Sequence, residues 1–184
     1  MKKALLIASV LFIAVISTAC INNIAVQELN NKAAEYMQKG DYEAAMNRLQ
    51  ASIDLDSTMY ETYYNLGIAA TNAKKYEIAI NAFEDGIKIK PDYANFYYSL
   101  AVAQSNFADE ILEPEESIED SKKESKSVSQ EDSAKASELK FSALSNVEKY
   151  LEINPQADDK DSAEELLNDC KEFIQESKTE TTVQ

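Results

Sequence analysis

The sequence predicts an all-α fold, a solenoid of stacked helical hairpins. The segment that begins at Tyr42 is nearly repeated 34 residues later at Tyr76, and Ala45 recurs in the same way as Ala79. The 184 residues include only three glycines and three prolines, and the apolar residues keep a helical spacing nearly throughout. A fixed period of this length is typical of arrays in which each hairpin buries its apolar face only against its neighbour. Such arrays usually present a surface that holds another molecule.

The first two predicted hairpins span about 26–59 and 60–93. The second has the fuller pattern, made up of Tyr63, Leu66, Gly67, Ala79, Phe83, Gly86 and Pro91. Their spacing resembles the tetratricopeptide repeat, although Ala70 stands where that family usually has Tyr. The resemblance implies a right-handed α-solenoid of three such hairpins over 26–157, followed by a capping helix.

Packing explains this pattern without the family name. Gly67 and Ala79 are small residues where the two helices of one hairpin must approach closely, and Phe83 is large enough to fill the remaining gap. Thr58 followed by Glu61 is a capping-box pattern that predicts the start of the second hairpin.

The third hairpin, over 94–157, is predicted to be interrupted. Its first-helix pattern arrives on time, but its second-helix pattern is delayed by an insertion at about 109–138 that holds eleven acids, four lysines and seven serines. So little apolar surface cannot offset the entropy of ordering the chain, which predicts a mobile loop or a transient helix. The insertion is either a solvated spacer or a docking segment.

The C-terminal part is predicted to hold a capping helix at 158–177 and a disordered tail at 178–184. Asp161 with Glu164 can cap the start of this helix. Cys170 lies on its apolar stripe, which favours a buried and unreactive thiol.

The first 19 residues are predicted to be a signal peptide. Two lysines precede an apolar stretch that is shorter than the roughly 20 residues a membrane-spanning helix needs. The Thr-Ala-Cys sequence ending at Cys20 resembles a bacterial lipobox, which implies lipidation of Cys20 and a lipid anchor at a bacterial membrane on its extracytoplasmic side. The alternative is ordinary cleavage near Ala19 and an unmodified Cys20.

The composition argues against catalysis and against nucleic-acid binding. The absence of histidine removes imidazole catalysis and almost every catalytic zinc site, and there is no glycine-rich phosphate loop. A net charge of −15 offers no basic stripe for phosphates. We therefore expect no enzyme, no cofactor, no metal and no nucleic acid.

The resemblance implies that the first helix of each hairpin lines a concave groove that binds a peptide or helix of another protein. Carried over residue by residue, it implies a partner-binding groove formed by Asn31, Glu61, Tyr64, Asn65, Ile68, Asn72, Asn95, Tyr98, Ser99 and Asn106, with Gln27, Asn30, Ala34 and Val102 beside them. The alternative is that Tyr64 and Tyr98 only pack between neighbouring helices.

The sequence thus predicts an exported, lipid-anchored adaptor or scaffold of the cell envelope. Two other functions stay open: an assembly factor that joins an envelope complex through its convex face or acidic loop, and a secreted protein without an anchor.

Overall fold

The computed structural model describes residues 23–113 and 129–182, and every regular element in these two ranges is a helix. The predicted signal peptide, Cys20 and the middle of the predicted insertion lie outside the described residues. The helices are α1 over 23–38, α2 over Tyr42–Leu55, α3 over Tyr60–Asn72, α4 over Tyr76–Ile89, α5 over Ala94–Leu112, α6 over Gln130–Ile153 and α7 over Lys160–Thr182. The all-α prediction is confirmed.

The helices form two layers. Each of α3 and α5 packs against the helix that follows it, and α5 also touches both α3 and α7. Helix α1 reaches α2 and α3 through Asn30, whose Nδ2 donates to Ser52 Oγ at 2.8 Å and to Thr62 Oγ1 at 3.2 Å. Layer A therefore consists of α1, α3, α5 and α7, and layer B consists of α2, α4 and α6.

Small residues hold the hairpins together, as the sequence predicts. Ala45, Ala79 and Ala143 occupy equivalent positions of α2, α4 and α6, and each is fully buried. Gly67 is buried against the ring of Phe83, which a Cβ at this position would strike. The close approach of α3 and α4 thus depends on the missing side chain.

The turns inside the first two hairpins share one backbone form. Gly40 has a φ of 75° and Lys74, which lies 34 residues later, has a φ of 56°. The amide after each donates to a helical carbonyl five residues earlier, from Asp41 to Tyr36 and from Lys75 to Ala70. The left-handed turn is therefore part of the repeat, with glycine in only one copy.

The helix starts differ from the prediction. Helix α3 begins after Met59 without a side-chain cap, because the amide and the hydroxyl of Thr58 both donate to Asp56 Oδ1, at 2.9 and 2.6 Å. A charge-assisted bond to this carboxylate outcompetes the expected capping box. Side chains do cap α2, through Asp41, and α6, through Ser129.

Both ends of the predicted insertion are helical. Residues 109–112 belong to α5 and 130–138 to α6, because each extension has tertiary partners. Asp109 pairs with Lys140 of α6 at 2.6 Å, and Lys135 pairs with Glu77 of α4 at 3.4 Å. These contacts, absent from any local pattern, order a segment of low apolar content.

The last helix covers the end of the array. Ala163 and Cys170 are fully buried in one cluster with Val147 and Tyr150. Helix α7 begins at Lys160, so Asp161 lies inside the helix and is not the residue that precedes it, as the predicted cap requires; Glu164 pairs with Lys160 at 3.4 Å. Its backbone continues through 178–182, within the range predicted to be a disordered tail, since no glycine or proline ends it.

Candidate functional site

A continuous stripe of side chains on α3 faces away from layer B. Leu66, Gly67 and Ala70 are buried on the side that meets α4. The opposite side presents Glu61, Asn65, Ile68 and Asn72, spaced by four, three and four residues. This spacing places them in one row along the helix, and none of them is buried.

The same stripe recurs on the neighbouring helices of layer A. On α5 it consists of Asn95, Ser99, Val102 and Asn106, and on α1 it consists of Gln27, Asn31, Ala34 and Gln38. We call these three rows, together with Tyr64 and Tyr98, the groove face. Of the ten residues predicted to bind a partner, five are exposed and five are half-buried, so every one of them is accessible. Partner binding by these residues stays a prediction.

Asn30, which the sequence places beside the groove, is turned inward instead. Its Nδ2 donates to the Val26 carbonyl and to the hydroxyls on α2 and α3 described above. Its Oδ1 is buried without a hydrogen-bond partner among the residues that the structure describes. Asn30 therefore joins three helices.

Tyr64 packs between helices. Its ring lies 6.0 Å from Phe83, 5.5 Å from Tyr93 and 5.6 Å from Phe96, the last two edge to face. Its hydroxyl accepts a long hydrogen bond of 3.5 Å from Ser99 Oγ on α5. Tyr64 therefore does pack between neighbouring helices, which is the alternative that the sequence leaves open. Only part of its ring remains accessible to a ligand.

Tyr98, which directly precedes Ser99 on α5, packs against α6. Its ring stacks on Tyr150 of α6 at 5.1 Å, and the Tyr150 hydroxyl donates to Asp159 just before α7. Burial, followed by the charges of Asp159 and Glu165, raises the pKa of Tyr98. Tyr98 therefore stays a neutral phenol in an acidic setting at neutral pH.

The amides are the freest groups of the groove face. Asn31, Asn72, Asn95 and Asn106 are exposed. Asn72 donates to the Ile68 carbonyl, and Asn95 donates to the Tyr93 hydroxyl at 3.4 Å. Each amide has further donor and acceptor capacity, which suits the backbone of an extended chain. Helices α3 and α5 contain no Lys or Arg.

A fourth row, which is not among the predicted groove residues, lies on α7. Its exposed members are Asp161, Glu165, Asn168 and Glu172. They repeat the spacing of the other rows, and this spacing is the signal that could have identified them. The sequence predicts only a capping role for this helix.

Layer B has an apolar surface of its own. Phe141 of α6 is 64% exposed, and a groove of about 560 Å³ between α4 and α6 is lined by Phe141, Ile87, Tyr97 and Leu100. Within residues 23–113 and 129–182, no three acidic or cysteine side chains are grouped to hold a metal ion. None of the helices described is long and apolar enough to cross a membrane.

Comparison with known families identifies tetratricopeptide repeats in this chain. A family model described as a TPR repeat matches residues 33–70, and one described as a tetratricopeptide repeat matches residues 60–93. A search of curated proteins found no match. The predicted repeat type is therefore confirmed for the first two hairpins, and the number of repeats stays a prediction.

Solved structures of tetratricopeptide domains share the fold. The first such domain of Spaghetti (RPAP3), bound to an HSP90 peptide, has 16% identity and a TM-score of 0.59, covering 81% of this chain and 92% of its own. The second domain of human RPAP3, in complex with an HSP70 peptide, has 15% identity and a TM-score of 0.60, covering 82% and 98%. The TPR2B domain of yeast Sti1, in complex with an Hsp70 peptide, has 17% identity and a TM-score of 0.56, covering 81% and 98%.

Proposed function

We propose that this chain is a non-enzymatic adaptor that binds an extended peptide or a helix of a partner protein along the groove face. The observation that supports this proposal best is the row of accessible side chains on α1, α3 and α5, with Asn at equivalent positions such as Asn72 and Asn106. An extended chain that crosses these helices would meet the same chemistry at each one. Side-chain amides can bond to its backbone without demanding one sequence.

The similar domains support a peptide as the ligand, although not the same peptide. The HSP90 and HSP70 peptides in two of those structures both end in Glu-Glu-Val-Asp. Binding of such an acidic end needs cations, and α3 and α5 have none. We therefore expect this groove to bind a peptide of another class.

Photo-crosslinking tests the groove directly. A benzophenone amino acid at Asn72 or Asn106 is expected to form an adduct with the partner in native cells, whereas one at Asn81 or Ser145, equivalent exposed positions of α4 and α6, is not. These four exposed positions leave the packed tyrosines intact. Adducts that form only from α4 and α6 would contradict the groove.

The same experiment examines a second function, that of an assembly factor acting through layer B. The exposed Phe141 beside an apolar groove favours this alternative, since isolated large apolar patches often mark contacts.

The other alternative, binding through the acidic insertion, is tested by deleting 114–128 alone. The packed ends of the insertion, 109–112 and 130–138, must be kept because they belong to α5 and α6.

Export and lipid anchoring at Cys20 complete the proposal. Cys20 precedes the first residue of α1 by only three positions, so an anchor there would hold the groove close to the membrane surface. We expect the mature protein to begin at an acylated Cys20 and to fractionate with membranes, and the Cys20→Ser variant to become soluble. An N-terminus of unmodified mass at Cys20 would instead indicate the unanchored, secreted form.

A further inference from the structure

Helix α7 is placed in layer A in the same rotational setting as α5. On α5 the buried residues include Leu100, Ala101, Gln104 and Ala108. On α7 the residues with identical spacing are Leu166, Leu167, Cys170 and Ile174, of which Cys170 is buried and the other three are half-buried. Ala163 and Cys170 pack in one cluster with Ala101, and α5 contacts α7 directly. The exposed row of α7 therefore continues the groove face by one more helix.

Negative charge is concentrated in the last of the four rows. The row on α1 holds no charged residue, the row on α3 holds Glu61, and the row on α5 from Asn95 to Asn106 holds none. The row on α7 holds three exposed carboxylates, on Asp161, Glu165 and Glu172. The groove face thus has an amide-rich end at α1 and an acidic end at α7.

The lysines nearest to these carboxylates do not neutralise the acidic end. Lys160 pairs with Glu164, which lies outside the row, and Lys171 occupies a helical position about a quarter turn away. The raised pKa of Tyr98, which is due mainly to burial, agrees with this placement of the row, because the negative charge of Glu165 on α7 also contributes to it. Repulsion among the three carboxylates would be relieved by a bound cation.

We infer that the groove binds a partner segment that is basic at one end, with its Lys or Arg side chains at the α7 row and its uncharged end towards α1. This inference rests on the proposed adaptor function and adds both the class of partner and its direction. Opposite charges at one end favour a single orientation of the bound chain, because the reversed chain would leave the carboxylates unpaired. The acidic Glu-Glu-Val-Asp ends of the peptides that similar domains hold would be repelled there.

The test uses a displayed library of random peptides about a dozen residues long. Three helix spacings of about 10 Å require roughly nine extended residues, so these peptides can reach from α1 to α7. The full-length protein selects binders at roughly 50 mM sodium chloride, where charges are weakly screened. Selected peptides are expected to carry Lys or Arg clustered at one end.

Two matched variants distinguish the effect of the α7 row on peptide binding from the effect of the protein's net charge. The groove variant is Asp161→Asn with Glu165→Gln and Glu172→Gln, and the control variant replaces the exposed acids Glu131, Glu138 and Glu148 of α6 by Gln. Both lose three negative charges. The best selected peptide should bind the groove variant about tenfold or more weakly and the control within about twofold of the unmodified protein.

Each outcome has one meaning. Equal losses in both variants, or selected peptides without clustered basic residues, would overturn the inference. If uncharged peptides are selected and form crosslinks from Asn72 and Asn106, the adaptor function stands and the basic class is wrong. If no selected peptide contacts these positions, the groove itself is excluded and the inference is overturned with it.

Discussion

At the scale of single residues, the contact between α3 and α4 depends on Gly67. A methyl group there would meet the ring of Phe83, which is fully buried and cannot swing away. We expect Gly67→Ala to lower the free energy of unfolding by about 1 to 3 kcal/mol, as overpacking does. Urea denaturation measures this change. Adding Phe83→Leu should recover part of the loss, and a double variant as unstable as the sum of the singles would contradict the contact.

Lys74 is a residue in a conformation that suits glycine. Its φ of 56° matches that of Gly40 in the preceding hairpin, at 75°. Because a left-handed residue with a Cβ costs about 1 to 2 kcal/mol, Lys74→Gly should raise the unfolding free energy by up to about 1 kcal/mol after the entropy of glycine is counted. Gly40→Ala should lower it by a similar amount. Opposite signs in a urea titration would show that the turn is not strained.

Lys140 is a buried cation that joins three helices. Its Nζ lies 2.6 Å from Asp109 Oδ1 and 2.8 Å from Ser105 Oγ on α5, and 5.7 Å from the centre of the Phe173 ring on α7. Removing one partner of a buried pair costs about 3 to 5 kcal/mol, but the Asp109 side chain is 59% exposed. We therefore expect Asp109→Asn to cost only about 1 to 2 kcal/mol.

The matched variant Lys140→Met should cost less than Asp109→Asn. Methionine fills a similar volume, and it leaves no charge buried while Asp109 stays partly in water. Thermal denaturation of both variants checks the order. A larger loss for Lys140→Met would show that the ion pair itself stabilises the helices.

At the scale of elements, α7 should open before the rest of the array. Cys170 is fully buried on α7, and burial raises the pKa of its thiol. In a Cys20→Ser background, we expect iodoacetamide to alkylate Cys170 at least about 100-fold more slowly than in urea-unfolded protein, because reaction requires opening. Phe173→Ala should speed alkylation because it weakens the packing of α7. The control is Phe141→Ala, which removes an exposed side chain of α6. Equal rates in both variants would contradict α7 as a separately opening cap.

The elements also show what local patterns can and cannot predict. The hairpin pairs and the buried alanines follow from repeated spacing and close packing, so the sequence predicts them. The helical ends of the insertion depend on the pairing of Lys135 with Glu77 and of Asp109 with Lys140, which are tertiary contacts between distant segments. Likewise, the Thr58 hydroxyl donates to Asp56 instead of capping α3, which the local pattern of Thr58 and Glu61 does not predict.

At the scale of the whole molecule, the sequence predicts ten accessible residues of the groove face but not its full extent. The Asn positions recur at 34 residues and are visible in the sequence. The inward turn of Asn30 and the packing of Tyr64 depend on neighbours that only the folded array brings together. The fourth row was missed because the insertion breaks the repeat count before α7.

Side-chain amide signals in NMR spectra give the most direct test of the groove face as the binding surface. Five asparagines of the groove face report from layer A, namely Asn31, Asn65, Asn72, Asn95 and Asn106, and Asn81 and Asn146 report from α4 and α6. Titration with a partner peptide identified by crosslinking or selection should shift the five layer A signals and leave Asn81 and Asn146 in place. Shifts confined to Asn81 and Asn146 would contradict the account and place the partner on layer B.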